Sequence, residues 1–297
     1  MRHEPAFYVS SIQKKAMKIL RTKEELQAEI ESIKSAGKTI GFVPTMGALH
    51  DGHKSLVNKS VSENDCCIVS IFVNPTQFSN ALDLEKYPRN LERDADMLKT
   101  IGCQLIFAPQ PGDIYDSEEI NNRFEFDFGG LDTVMEGKFR PGHFNGVVQI
   151  VSKLFRLIQP DKAYFGEKDF QQLAIIHRMV KLMNFNIEIV DFPIVREPSG
   201  LALSSRNERL TDDQRRNAVE ISGILFESRN FVPQLSPQEL TQWVTDKINA
   251  VAGMKVEYYE IVDSESLQEV KSWSKQATGC IAVFCGQVRL IDNIRYN

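Results

Sequence analysis

The chain has 297 residues, 42% hydrophobic and 25% charged, with a formal net charge of −5. That length buries a substantial core and suits two domains or one large one, while the acidic balance argues against a surface built for nucleic acid. No apolar run approaches a membrane span, the N-terminus lacks a signal core with a cleavage site, and five cysteines without a C-x-x-C pair read as reduced core residues, so a cytoplasmic protein is expected.

Residues 1–16 carry no periodic pattern and read as an extension ahead of the first domain. Thr22 caps a helix through Leu26, Ile30 and Ile33 that ends near Gly37. Thr39, Ile40, Phe42 and Val43 suit a buried strand, broken by Pro44 and Gly47, and a helix runs from about Gly52 to Glu63. Cys66 to Val73 reads as a second strand with the continuous apolar character of a parallel sheet. A helix through Leu91, Met97 and Leu98 leads to a third strand, Leu105 to Pro109. The mixed, glycine-bearing stretch from Tyr115 to Phe139 suits a mobile flap. A helix buried on one face follows through Val147, Ile150, Leu154 and Leu157, then a strand at Ala163 to Phe165, a helix to about Asn184 and a strand at Ile187 to Val190. This alternation predicts an α/β fold, a Rossmann-like doubly wound parallel sheet over residues 1–192. Helices at about Thr211 to Phe226 and Ser236 to Val251, with strands at Val256 to Val262, Cys280 to Phe284 and Val288 to Ile291, predict a smaller α+β C-terminal domain over 193–297 that serves as a lid.

Four polar clusters fall at strand ends or turns: His50/His53, Asn74/Gln77, Lys168/Asp169/Gln172 and Ser204/Ser205/Arg206. The first sits in a strand-to-helix turn whose free N–H groups and positive helix end favour an anion. Two histidines three residues apart around Gly52 can donate to one phosphate, and Gly52 lets a nucleotide approach. Each cluster also has a plain reading: a chance histidine pair or metal half-site, a solvated lysine, a serine N-cap. No cysteine or carboxylate cluster completes a zinc site. Taken together, His50, His53, Lys168 and Arg206 supply cations and donors for phosphate charge that builds during displacement, and the neutral amides of Asn74, Gln77 and Gln172 orient a small hydroxy acid. No serine or cysteine nucleophile is paired with a base, which fits direct transfer.

The stretches PTMGALHDGH (44–53), FVNPTQF (72–78), RPGHFNGV (140–147), GEKDFQQL (166–173) and REPSGLALSSRN (196–207) resemble, in order, the motifs of the pantothenate synthetases, or pantoate–β-alanine ligases. The first and last also resemble the HIGH and KMSKS signatures of the wider nucleotidyltransferase superfamily. The resemblance implies an ATP-dependent condensation: pantoate attacks the α-phosphate of ATP to give pantoyl adenylate and pyrophosphate, and the β-alanine amine then displaces AMP. It implies ATP binding by Met46, Gly47, Ala48, Leu49, His50, Asp51, Gly52 and His53, with His53 catalytic through charge stabilisation and proton donation. Gly166, Glu167, Lys168 and Asp169 would meet the ribose and phosphates, Val195 the adenine, and Leu203, Ser204, Ser205 and Arg206 would close over the triphosphate. Gln77 and Gln172 would bind pantoate, Gln77 also lying near β-alanine, with Asn74 as a helper; Phe144, Val147 and Ile150 would wall the gem-dimethyl group. Mg²⁺ is expected with ATP, held by phosphate oxygens and water. Asp94 is the one match to the family's acidic helix positions, with Arg93 beside it as a departure, so no protein metal ligand is assigned. A homodimer is implied, without nucleic-acid or membrane partners. A superfamily member acting on a phosphorylated or alcohol acceptor would carry extra charge near Asn74, Gln77 and Gln172, and a non-catalytic RNA-binding module would need a basic, aromatic-bearing surface.

Overall fold

The computed structural model describes residues 16–78, 84–85, 87–121, 124–273 and 276–296, so the expected extension over 1–16 lies, but for its last residue, outside the described residues. The first element is a short edge strand, β1 (Lys18–Leu20), which periodicity does not predict because three residues are too few to show an alternation. α1 (Lys23–Ser35) opens on the expected cap: Thr22 Oγ1 accepts from the Glu25 N–H, and the Glu25 carboxylate accepts from the Thr22 N–H. The alternation continues through β2 (Ile40–Thr45), α2 (Asp51–Glu63), β3 (Cys66–Ile71), α3 (Leu91–Thr100) and β4 (Leu105–Phe107). It ends with α4 (His143–Ile158), β5 (Lys162–Gly166), α5 (Phe170–Leu182) and β6 (Glu188–Phe192).

Among the described residues these six strands form one parallel sheet in the order β1-β4-β3-β2-β5-β6. Successive side chains point to opposite faces. Ile40, Phe42, Ile68 and Phe107 join α1, α4 and α5 in one apolar layer, and Val43, Val69 and Ile106 join α2 and α3 in the other. The sheet is doubly wound, and the chain changes its direction of travel between β2 and β5. Strand ends at such a point leave a crevice.

α6 (Asp212–Ser228) and α7 (Pro237–Asn249) precede an antiparallel sheet of β7 (Met254–Asp263), β8 (Ala277–Cys285) and β9 (Val288–Tyr296). One face of this sheet packs on α6 and α7 through Ile281, Val283 and Leu290. The other face sends Tyr258, Cys280 and Ala282 into the cluster that holds α4 and α5. A buried ionic network crosses the same junction. Arg289 donates to Glu136 and to Glu257, each at 2.6 Å, and the Tyr258 hydroxyl donates to Glu136 at 2.9 Å. Burial alone would raise the Glu136 pKa, but the bonds and charge of Arg289 outweigh it and hold the carboxyl at about 2.

The flap expected from Tyr115 to Phe139 is corrected: Tyr115, Phe128, Leu131 and Met135 are buried in the main core. Gln171 on α5 donates to the carbonyls of Leu131 at 2.6 Å and Val134 at 2.9 Å, which ties the segment down. The glycines that suggested mobility, Gly129 and Gly130, take left-handed turn conformations. All five cysteines are buried, and none is in a disulfide. Among the described residues no helix is long and apolar enough to cross a membrane.

Candidate active site

A cleft opens across the C-terminal ends of β2, β3, β5 and β6, where Thr45, Ser70, Gly166 and Phe192 line it. Its cavity volume is ≈ 270 Å³, near the lower end of the roughly 300–1,000 Å³ typical of ligand pockets. Met46, His50, Gly52, His53, Asn74, Gln77, Gly166, Lys168, Asp169, Gln172, Val195, Leu203, Ser204, Ser205 and Arg206 all meet there. Gly47, Ala48, Leu49, Asp51 and Glu167 stand behind the wall or outside it.

The turn after β2 is fastened from within. The Gly47 N–H donates to Thr45 Oγ1 at 3.2 Å, and the N–H groups of Ala48 and Leu49 donate to the two carboxylate oxygens of Asp94, on α3, at 2.9 and 2.8 Å. Ala48 has φ of 51°, a left-handed conformation that costs an alanine energy and that these bonds hold in place. His50 caps α2, its Nδ1 accepting from the Gly52 N–H at 3.1 Å, and His53 Nδ1 accepts from the His50 N–H at 3.4 Å. The expectation of free amides here is therefore corrected, because those of residues 47, 48, 49, 50 and 52 are engaged. Gly52 also has a nearer task than admitting a nucleotide, since a Cβ there would lie 2.8 Å from His50 Cε1.

What this turn offers a ligand is its imidazole edges. With Nδ1 accepting in both rings, the proton of each neutral imidazole sits on Nε2, which becomes a donor. The rings lie 4.1 Å apart. Of the cations and donors expected from the sequence, the two histidines belong with the donors, as neutral rings. Burial, reinforced by the Lys168 charge, lowers His50 to about 4, and burial together with His50 and Lys168 holds His53 well below its ordinary value. Asp94, the acidic helix position expected from the motifs, spends both its carboxylate oxygens on turn amides. Among the described residues no three His, Cys, Asp or Glu gather where a metal ion could be held.

The turn after β3 presents neutral amides. Asn74, 1% exposed, donates from Nδ2 to Gln77 Oε1 at 3.1 Å and to the Gly146 carbonyl at 3.0 Å, and its Oδ1 accepts from the Tyr115 hydroxyl at 2.8 Å. Its carboxamide is saturated, so Asn74 fixes Gln77. His143 donates from Nδ1 to the Gln77 carbonyl at 3.0 Å. Gly146 brings α4 against this turn, where a Cβ would fall 2.5 Å from Gln77 N and Thr76 O. Phe72, Val147, Ile150, Val151 and Leu154 make the apolar wall beside them. Phe144, expected in that wall, follows His143 by one residue, roughly 100° round the helix, and lines a smaller adjoining cavity with Tyr258 and Cys280.

On the far side, Lys168 lies 3.5 Å from the Asp169 carboxylate. The Val195 carbonyl accepts from the Leu203 N–H at 3.0 Å, and Ser204 caps a single 3-10 turn by accepting from the Arg206 N–H at 3.2 Å. The N-cap reading of Ser204 and its place in the cleft thus hold together. Sequence reasoning misses Arg140, His143 and Tyr87, which also line the cleft. Arg140 makes one long contact, 3.5 Å, with a Glu136 already bound to Arg289, so its guanidinium remains available to a ligand. Its position at the head of RPGHFNGV was the visible signal; Tyr87 carried none.

The pantoate-beta-alanine ligase family model matches residues 18–295. The pantothenate synthetases of Bacteroides fragilis strain YCH46 and Bacteroides thetaiotaomicron are each 55% identical over 282 residues, covering 94% of this chain and 99% of theirs. The crystal structure of pantothenate synthetase from Thermus thermophilus superposes with a TM-score of 0.87 at 40% identity, covering 95% of this chain and 100% of that one. The pantoate-beta-alanine ligase of Francisella tularensis, solved in complex with beta-gamma ATP and beta-alanine, gives a TM-score of 0.79 at 38% identity, covering 94% and 98%. With a family match over nearly its whole length, and with the family's motifs converging on one cleft, this chain belongs to the pantoate–β-alanine ligases.

Proposed function

We propose that the cleft joins pantoate to β-alanine in two steps at one site, with ATP as the activating substrate. The pantoate carboxylate attacks the α-phosphate, the bond to pyrophosphate breaks, and pantoyl adenylate forms. The β-alanine amine then attacks the acyl carbon, loses a proton, and AMP leaves as pantothenate forms. The nucleotide and β-alanine named for the Francisella relative are the substrates this reading assigns.

The observation that carries the reading is the division of the cleft into an uncharged half and a cationic one. Gln77 and Gln172, beside the aliphatic wall of Phe72, Val147 and Ile150, suit a small branched hydroxy acid: methyl groups against carbon, hydroxyl and carboxylate groups toward the carboxamides. Lys168, Arg206 and Arg140, with the Nε2–H donors of His50 and His53, suit a polyphosphate. Negative charge accumulates on the departing phosphates as the bond breaks, and donors fixed there stabilise it. In this assignment His53 acts as a neutral donor, and the lysine and arginines bring the positive charge. Gly166 and Val195 border the nucleoside end. Magnesium enters with the nucleotide, held by phosphate oxygens and water, since Asp94 is engaged with turn amides. The same reading includes a cytoplasmic location, which buried cysteines outside disulfides suit, a homodimer, and a domain boundary at 192/193, where β6 ends.

The test is to measure pyrophosphate release with ATP and pantoate alone, then AMP release on adding β-alanine. Pyrophosphate is expected before the amine arrives. Its absence until β-alanine is present would rule out a free-standing first step.

A further inference from the structure

Lys168 sits on a single turn of 3-10 helix, Glu167–Asp169, between β5 and α5, and no side-chain cap closes that turn. Three residues of such a helix have little internal bonding to fix their shape. The bonds that hold it come from the antiparallel sheet. Asn293 on β9 donates from Nδ2 to the Glu167 carbonyl at 2.8 Å and to the Lys168 carbonyl at 3.1 Å. Arg295 adds a bond to the Glu167 carboxylate at 2.6 Å. Asn293 is 7% exposed, so water competes little for its bonds.

The preceding residue works in the other direction. Asp292 accepts two bonds from the Arg196 guanidinium, at 2.6 and 2.8 Å. Arg196 follows Val195, whose carbonyl holds Leu203 at the head of the segment that ends in Arg206. Neighbouring residues of a strand face opposite ways. β9, an edge strand of its sheet, therefore grips the Lys168 turn with one side chain and the base of the Arg206 segment with the next.

We propose that Asn293 is a positioning residue for the first step: its two amide hydrogens fix the carbonyls of Glu167 and Lys168 and so set where the Lys168 ammonium meets the phosphates. Asp292 ties the Arg206 segment to the same strand, so one dipeptide sets the spacing of two cations from opposite sides. Neither residue touches substrate. The proposal rests on reading Lys168 as a phosphate-binding cation.

In the full chain, Asn293→Ala is expected to lower kcat/KM for ATP in pyrophosphate release by roughly 10- to 100-fold, the scale set by ångström-level misplacement of a catalytic group. The KM for β-alanine in the second step is expected to be unchanged. Lys168→Ala and the double variant complete a cycle. If Asn293 acts through Lys168, the double variant is no slower than Lys168→Ala alone. Multiplying losses, which a merely structural role would produce, overturn the proposal and leave the reading of Lys168 intact; a Lys168→Ala variant at the parental rate overturns both. Asn293→Asp, nearly isosteric but with an acceptor in place of the amide donor, guards against a fold defect in the alanine variant. It is expected to be as slow as Asn293→Ala while remaining folded at the assay temperature by circular dichroism, and a parental rate would overturn the proposal.

Discussion

The turn after β2 and the turn after β5 both line the cleft, yet they are held from very different places. Asp94, on a helix of the same parallel sheet, accepts the amides of Ala48 and Leu49. Asn293, on a strand of the second sheet, holds Glu167 and Lys168. The imidazole donors therefore keep their geometry through contacts inside the parallel sheet's own layers. The lysine's geometry depends on how the two sheets meet, at the junction where Glu136, Arg289 and Tyr258 are bonded together. Donor and cation can thus be disturbed separately.

The largest effect is expected at the first turn. His53→Ala should leave the fold intact and lower pyrophosphate release by roughly 10²-fold or more, as loss of a fixed donor to developing charge does; a parental rate would remove His53 from the chemistry. Asp94→Asn should come next, because a carboxamide oxygen cannot replace two carboxylate acceptors and one turn amide is left unpaired, at about 1–3 kcal/mol. A loss of roughly ten-fold in kcat/KM for ATP and a lower melting temperature are expected, both unchanged across a Mg²⁺ titration. Rescue by added Mg²⁺ would instead make Asp94 a metal ligand and break the comparison.

A smaller effect probes the neutral half of the cleft. Gly146→Ala drives a methyl group against the backbone of Thr76 and Gln77, and such overpacking costs about 1–3 kcal/mol. The KM for pantoate should rise several-fold while that for ATP stays near the parental value; an equal rise in both would mean that the disturbance spreads beyond Gln77. An effect that vanishes at neutral pH comes last. Burial, aided by Lys168 for His50 and by Arg140 for His143, holds both residues at about 4 when folded, against about 6.5 when unfolded. Between those values the unfolded chain binds more protons, so this stability is complete above pH ~6.5 and is lost as pH falls toward ~4. Melting curves of the ligand-free chain should show that decline, shallower in His143→Gln; a flat profile would mean that these rings are not shielded.

Much of the cleft is legible in the sequence because parallel alternation brings successive strand ends to one edge. Once β2, β3 and β5 are recognised from their apolar runs, the turns carrying His50, Gln77 and Lys168 have to be neighbours. Asp94 reads as one more helix acid, since its partners lie 46 and 45 residues away. Asn293 is harder still, acting over 126 and 125 residues from a strand of the other sheet. The neutral state of the histidines is hidden for a related reason: it comes from burial and a lysine that folding brings near. Phe128, Leu131 and Met135 mislead because glycines and mixed composition signal a loop, while their burial depends on helices that follow later in the chain.

The engaged amides of the first turn have a thermodynamic consequence. A loop already bonded to Thr45, Asp94 and its own histidines does not stiffen further when a ligand arrives. The entropy of ordering that stretch is lost during folding, so capture of a nucleotide there costs mainly the nucleotide's own motion and the water it displaces.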